Sequence, residues 1–311
     1  MDGELLRWLY HRLLHDPKLT RTRDCTYGDG LVLLIYLFAC ANNRAPRWAH
    51  DRRRWPIWCQ AVLPAFPSYS QLCRRLNRPA IGELLARLDA ELRDRLPRRS
   101  GDGDGGNGNG DGGGNEKAVD GRPLTVNGYS HDPDATCGRV PDGWARGYKA
   151  HVVVDAASGA IEACAVTPLS AGEATVLRQQ LLPRLDLRGC TLRGDANYDS
   201  NATYAAVAAA GGRHVAQRRK PGRGLGHHRQ HPDRRRAVRE LEQTPGGLAA
   251  HKRRRNRVEQ VLAHLANLPI GLATLPPFLR RLRRVRPWVA AKVMLYHLHL
   301  AQVPGAQQAA A

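Results

Sequence analysis

From Gly101 to Asn115 the chain is almost entirely glycine, aspartate and asparagine. Such a run has no large apolar side chain to bury and too much backbone freedom to hold a helix or a strand. It therefore predicts a flexible linker, placed at residues 99–116, between two parts with different hydrophobic patterns. Its acids, Asp102, Asp104 and Asp111 with the nearby Glu116, lack the spacing and terminal glutamate of a calcium loop.

Residues 1–98 carry helical periodicity. Leu5, Leu6, Leu9 and Leu13 fall on one helical face, and the apolar run Leu31 to Cys40 is too short to span a bilayer and predicts a core helix. Pro67 to Leu76 predicts a short capped helix, and Ile81 to about Leu96 a longer one with Leu84, Leu85, Leu88 and Leu92 on one side. That pair admits a helix-turn-helix reader of DNA, although packing of a small helical domain is the plainer explanation. The seven cysteines include no C-x-x-C pair, which argues against a zinc ribbon or a disulfide framework. Met1 to Arg7 leads into an amphipathic pattern rather than a secretory signal, so a soluble, cytoplasmic protein with no membrane partner is expected.

After the linker the periodicity changes. Ala118 to Val126, Gly147 to Asp155 and Ala160 to Thr167 predict three strands, the last two joined by the turn Ala156 to Gly159. A helix bearing Leu177, Leu181, Leu182 and Leu185 follows, then a short strand Thr191 to Asp195. Next come an alanine-rich helix Asn201 to Ala210 and a strand at His214 to Ala216. A basic segment broken by Gly and Pro precedes a last helix bearing Glu259. Residues 117–311 thus form an α/β domain of order β-β-β-α-β-α-β-α.

The formal charge is +20. Between Arg213 and Arg257 there are fifteen basic residues against three acids, Asp233, Glu240 and Glu242, so over half of the excess lies in one segment. A charge of that size and clustering favours nucleic acid as partner, through release of phosphate counterions. His227, His228 and His231 lie in the same segment without a cysteine or fourth ligand to complete a zinc site.

Within this basic protein three separated acids stand out. Asp120 lies in the first predicted strand, Asp195 ends the fourth, and Glu259 follows the run His251 to Val258 on the late helix. Carboxylates suit Mg²⁺, a hard ion, and a pair of such ions about 3.5–4 Å apart is the usual device for phosphodiester chemistry. Each acid also has a plain structural role open to it. Asp120 could serve a turn at Gly121, Asp195 could cap a helix, and Glu259 could pair with Arg255 one turn away. Lys149 and His151 alternate on a strand and share a face, where they could meet DNA or decorate a sheet edge.

Several segments in this order resemble the DDE catalytic domain of insertion-sequence transposases. They are Asp120-Gly121-Arg122-Pro123-Leu124, Asp132-Pro133-Asp134-Ala135, Gly147-Tyr148-Lys149-Ala150-His151, Val166-Thr167-Pro168-Leu169-Ser170, Gly194-Asp195-Ala196-Asn197-Tyr198-Asp199-Ser200 and Arg255-x-x-x-Glu259. The resemblance implies a ribonuclease H-like mixed sheet flanked by helices, behind an all-helical N-terminal region. It implies that Asp120, Asp195 and Glu259 hold two Mg²⁺ ions, with Mn²⁺ as a possible substitute. In that reading Arg255 contacts a phosphate near Glu259, while Lys252, Arg253 and Arg254 of the basic run, with Lys149 and His151, are the further DNA-binding candidates. Where the family often carries a Tyr three residues before the Arg and a Lys seven after the Glu, this chain has Lys252 and Ala266. The implied reaction is cleavage at an element end, followed by attack of the freed 3′ hydroxyl on target DNA, by a homodimer on DNA at the nucleoid. Two rivals use the same residues: a non-catalytic transposase-derived DNA-binding protein, and a metal-dependent nuclease that never joins strands.

Overall fold

The computed structural model describes residues 3–15, 27–96, 115–127, 130–225, 229–267, 271–272 and 274–302. Most of the expected linker, together with Cys25, His227 and His228, lies outside the described residues. The chain forms two compact units.

The first unit is helical and contains Gly3–Leu14, Asp29–Ala41, Pro46–Ala49, Ile57–Val62, Tyr69–Leu76, Pro79–Asp94 and Leu282–Gln302. Asp29–Ala41 is buried at every position from Gly30 to Ala41, as its unbroken apolar run requires. Tyr69–Leu76 begins with a reciprocal cap: Ser68 Oγ accepts from the Gln71 amide at 3.3 Å, and Gln71 Oε1 accepts from the Ser68 amide at 2.9 Å. Arg75 on that helix is buried and bonds Asp29 and the Tyr27 carbonyl. The outward positions of Pro79–Asp94 mix Glu83 and Asp94 with Arg87.

Leu282–Gln302 joins this unit, packing on Pro79–Asp94 and Asp29–Ala41. Its first amides are satisfied by Asp132 and Asp134. Asp132 Oδ2 accepts from Arg281 N and Asp134 Oδ2 from Leu282 N, each at 2.9 Å. These two loop acids therefore terminate a helix far away in sequence. No described helix is long and apolar enough to cross a membrane.

The second unit holds the sheet: β1 Asn115–Thr125, β2 Thr136–Val140, β3 Gly143–Asp155, β4 Ile161–Pro168, β5 Cys190–Gly194 and β6 Arg213–Ala216. The order is β2-β3-β1-β5-β6, with β4 pairing on β3. β3 pairs antiparallel with β1, β2 and β4, whereas β1, β5 and β6 run parallel. This is the mixed, helix-flanked sheet implied by the ribonuclease H resemblance. β3 is long because β2 pairs with its first five residues and β4 with those from Tyr148 onward.

One face of the sheet presents Val119, Val153, Ala163, Ala165 and Leu192 to Val176, Leu177, Leu181 and Leu182, on the helical turns from Glu173 to Arg184. Those turns pass from α-helix through a π turn to the 3₁₀ turn Leu182–Arg184, which carries Pro183. Tyr204 on Asn201–Ala209 packs with Val215 of β6, and with Ala237 and Leu241 from Pro232–Val238 and its π continuation. The helix Gly247–Asn267 carries Arg255 and Glu259.

Candidate active site

The sheet itself brings two of the acids together. β1 and β5 are parallel neighbours with Ala118 opposite Arg193. Two residues further along both chains lie Asp120 and Asp195, so strand periodicity puts both on one face at adjacent positions. Asp120 remains within β1 and is not a turn residue, although its Oδ1 accepts from the Gly121 amide at 2.7 Å. Asp195 sits just past the end of β5 and does act as a cap, with Oδ1 accepting from Asn197 N at 2.8 Å.

The third acid comes from Gly247–Asn267. Glu259 pairs with Arg255 one turn earlier, and the same guanidinium reaches across to Asp120 Oδ2 at 3.3 Å. Arg255 thus spans the strand acid and the helix acid. Glu259 is 48% exposed, against 20% for Asp120. Among the described residues no group of three or more His, Cys, Asp or Glu side chains is arranged to hold a metal ion.

Both strand acids are held above the ordinary carboxylate range. Burial raises the Asp120 carboxyl to about 6. The Gly121 amide and Arg255 pull it down, while Asp195 and Glu173 push it up, and burial wins. Asp195 is raised as well, first by burial, with Glu173 adding to the effect and Asn197, Arg255 and Lys149 opposing it. Carboxylate oxygens of this kind suit a hard divalent cation.

Glu173 is a fourth acid here. It opens the turns that pack on the opposite sheet face, where its Oε1 accepts from Lys149 Nζ at 2.6 Å and its Oε2 from Asn197 Nδ2 at 3.2 Å. Asn197 Nδ2 also lies 3.3 Å from Asp195 Oδ2, linking the two faces at the end of β5. Gly121 makes the approach possible. A Cβ there would stand 2.9 Å from Lys149 Cδ and 3.2 Å from Glu173 Oε1. In the sequence Glu173 looks like an ordinary acid in the first turn of a helix. Only its place beneath Gly121 sets it apart.

The expected DNA-facing residues divide by exposure. Lys252, Arg253 and Arg254 are exposed on the first turns of Gly247–Asn267, with Arg254 3.7 Å from Glu116. Arg255 is engaged between Asp120 and Glu259. Lys149 is mostly buried against Glu173. His151 is fully buried, its Nε2 2.9 Å from Thr167 Oγ1, and burial lowers it to about 4. A neutral ring inside the unit has no surface to offer a phosphate, so His151 takes a packing position and not the DNA-facing one expected for it. Tyr198 is likewise fully buried. His231 caps Pro232–Val238 through Nδ1, which accepts from Asp233 N at 3.3 Å.

Residues 112–296 match the family model of the transposase DDE domain. The match covers more than half of the sequence, and the chain belongs to that family. Among solved structures it is similar to the piggyBac transposase synaptic complex with hairpin DNA, determined by cryo-EM. The TM-score is 0.49 at 10% identity, over 96% of this chain and 71% of that one. Comparison with curated proteins gives no match.

Proposed function

We propose that this transposase is of the insertion-sequence type, cutting DNA at element ends and joining the freed 3′ hydroxyl to a target. The observation that carries the reading is Arg255 spanning Asp120 and Glu259 while Asp195 lies beside Asp120 on the same sheet face. Asp120, Asp195 and Glu259 are the residues that would hold Mg²⁺, with Mn²⁺ able to substitute. When bound, such ions supply Lewis acidity, lowering the pKa of water and stabilising the leaving oxygen.

The chain's own residues do the rest. Asp120 and Asp195 present carboxylate oxygens at the end of the parallel strands. Arg255 pairs with both Asp120 and Glu259, and were those carboxylates to hold metal, its guanidinium would be available to a phosphate. Asn197 holds one oxygen of Asp195 and Lys149 holds Glu173, which fixes the edge of the site. Lys252, Arg253 and Arg254 supply sequence-independent attraction to the DNA backbone, which would hold the protein on the nucleoid. Joining two element ends to one target needs two sets of acids, so a homodimer on DNA is the smallest working assembly.

The test uses supercoiled plasmid carrying the element ends, Mg²⁺, and the full chain with and without Asp195→Asn. The wild type should release the ends and give joined products, while the variant should bind DNA and yield neither. Cleavage by Asp195→Asn at the wild-type rate would defeat the assignment. Released ends that never join would leave a nuclease, and DNA binding without any cut would leave a non-catalytic binder.

A further inference from the structure

Asn197 holds both oxygens of Asp195. Its backbone N–H donates to Oδ1 at 2.8 Å and its side-chain Nδ2 to Oδ2 at 3.3 Å. The same Nδ2 donates to Glu173 Oε2 at 3.2 Å, while Asn197 Oδ1 accepts from Arg219 at 3.2 Å. An amide has a donor end and an acceptor end, and these neighbours fix which is which. Two carboxylates require Nδ2 on their side, and a guanidinium requires Oδ1 on the other. Reversing the amide would set oxygen against two carboxylates and nitrogen against an arginine. The backbone beneath is equally fixed. Tyr198, the next residue, is fully buried, and a Cβ on Gly194 would stand 3.0 Å from its Cβ. The Tyr198 carbonyl lies 3.4 Å from His214 Nε2.

We infer that Glu173 is a positioning residue, acting through Asn197 to set the direction in which Asp195 presents its carboxylate. The inference rests on Asp195 taking part in binding a divalent cation. Glu173 is itself firmly held. Its side chain is 10% exposed, its Oε1 accepts from Lys149 Nζ at 2.6 Å, and Gly121 leaves the room it occupies. Donors therefore stand at both ends of one side chain, which a carboxylate can satisfy and an amide cannot. Gln in its place has a single acceptor and must turn a donor toward Lys149 or Asn197. Lys149 carries the charge and the shorter contact, so it keeps the oxygen and Asn197 is released. Groups that orient a metal ligand from behind govern roughly ten- to hundredfold in metal affinity, because a ligand that must first be ordered binds more weakly. Glu173 exerts this effect without touching the cation.

The experiment measures Mn²⁺ binding to the full chain without DNA, from the electron paramagnetic resonance signal of the free ion, with Asp195→Asn as the blank. Glu173→Gln and Asn197→Ala should each weaken binding roughly ten- to hundredfold. In the Asn197→Ala background Glu173→Gln should add about twofold or less, since the two residues act in series. Loss of the Glu173 charge by itself would weaken binding equally in both backgrounds, and that result overturns the inference. So does unchanged binding in Asn197→Ala, a substitution at an exposed position. Should Glu173→Gln fail to fold, pairing it with Lys149→Met removes both buried charges together, and the same comparison is made with and without Asn197→Ala. A wild type that binds Mn²⁺ while neither variant differs from it defeats this inference alone. A wild type that binds no more Mn²⁺ than Asp195→Asn defeats the metal reading with it.

Discussion

Replacing Asp120 with Asn should make the folded chain more stable at neutral pH while abolishing cleavage. Burial lifts the Asp120 carboxyl from 3.8 to about 6 in the folded state. That displacement disfavours the charged form by about 3 kcal/mol as an upper bound. Asp120 is 20% exposed and the substitution removes one partner of Arg255, both of which reduce the gain, leaving about 1–2 kcal/mol. The pH dependence has a definite sign. From 3.8 to about 6 the folded chain keeps a proton that the unfolded chain has released, so the charge at Asp120 lowers stability progressively as pH rises through that window. The cost is complete above the window and absent below it. Asn cannot ionise, and its amide oxygen can still accept from the Gly121 amide. Hydrogen exchange at the β1 and β5 amides reads the opening free energy of this unit. Near pH 7.5 the variant should be protected by about 1–2 kcal/mol more than the wild type, and near pH 3.5 the two should agree. Added Mg²⁺ should close the gap from the other side, stabilising the wild type by about 1.4 kcal/mol at ten times its Kd and the variant by less. A variant less protected at neutral pH would refute the reasoning, because the Arg255 contact would then outweigh the burial of charge.

The other expectations are simpler. Glu259→Gln should change stability by less than about 0.5 kcal/mol in urea denaturation, because its carboxylate is half exposed, yet remove plasmid cleavage; retained cleavage would take Glu259 out of the site. Arg75→Ala should cost about 3–5 kcal/mol, since it leaves Asp29 without its buried partner, and a double-mutant cycle with Asp29→Ala should recover most of that loss. A small effect on stability with a large loss of DNA binding would instead put Tyr69–Leu76 on DNA.

The fold was largely legible where a segment's own pattern decides its structure. Strands expected at 118–126, 147–155, 160–167, 191–195 and 214–216 appear at β1, β3, β4, β5 and β6. The buried helix Asp29–Ala41 and the capped helix Tyr69–Leu76 follow from local apolar and capping signals. β2 was not legible, because Thr136 to Val140 has a central glycine and little apolar content and becomes a strand only by pairing with β3. Leu282–Gln302 was hidden by Pro287 and a basic start, and it is held by buried neighbours such as Trp288, Val289 and Met294.

The candidate site divides in the same way. Alternation along β1 and β5 determines which face Asp120 and Asp195 occupy, and the sequence places Asp120 within the first strand and Asp195 at the end of the fourth. Their register, Ala118 against Arg193, exists only once β5 pairs parallel to β1 across a long connection. Glu173 beneath Gly121, His151 sealed against Thr167, and Arg255 held between Asp120 and Glu259 are likewise tertiary facts. Local residue pattern governs periodicity, caps and charge because those depend on neighbours a few positions away. Packing governs which distant side chains meet, and so which carboxylates share a field and which cation is spent on them.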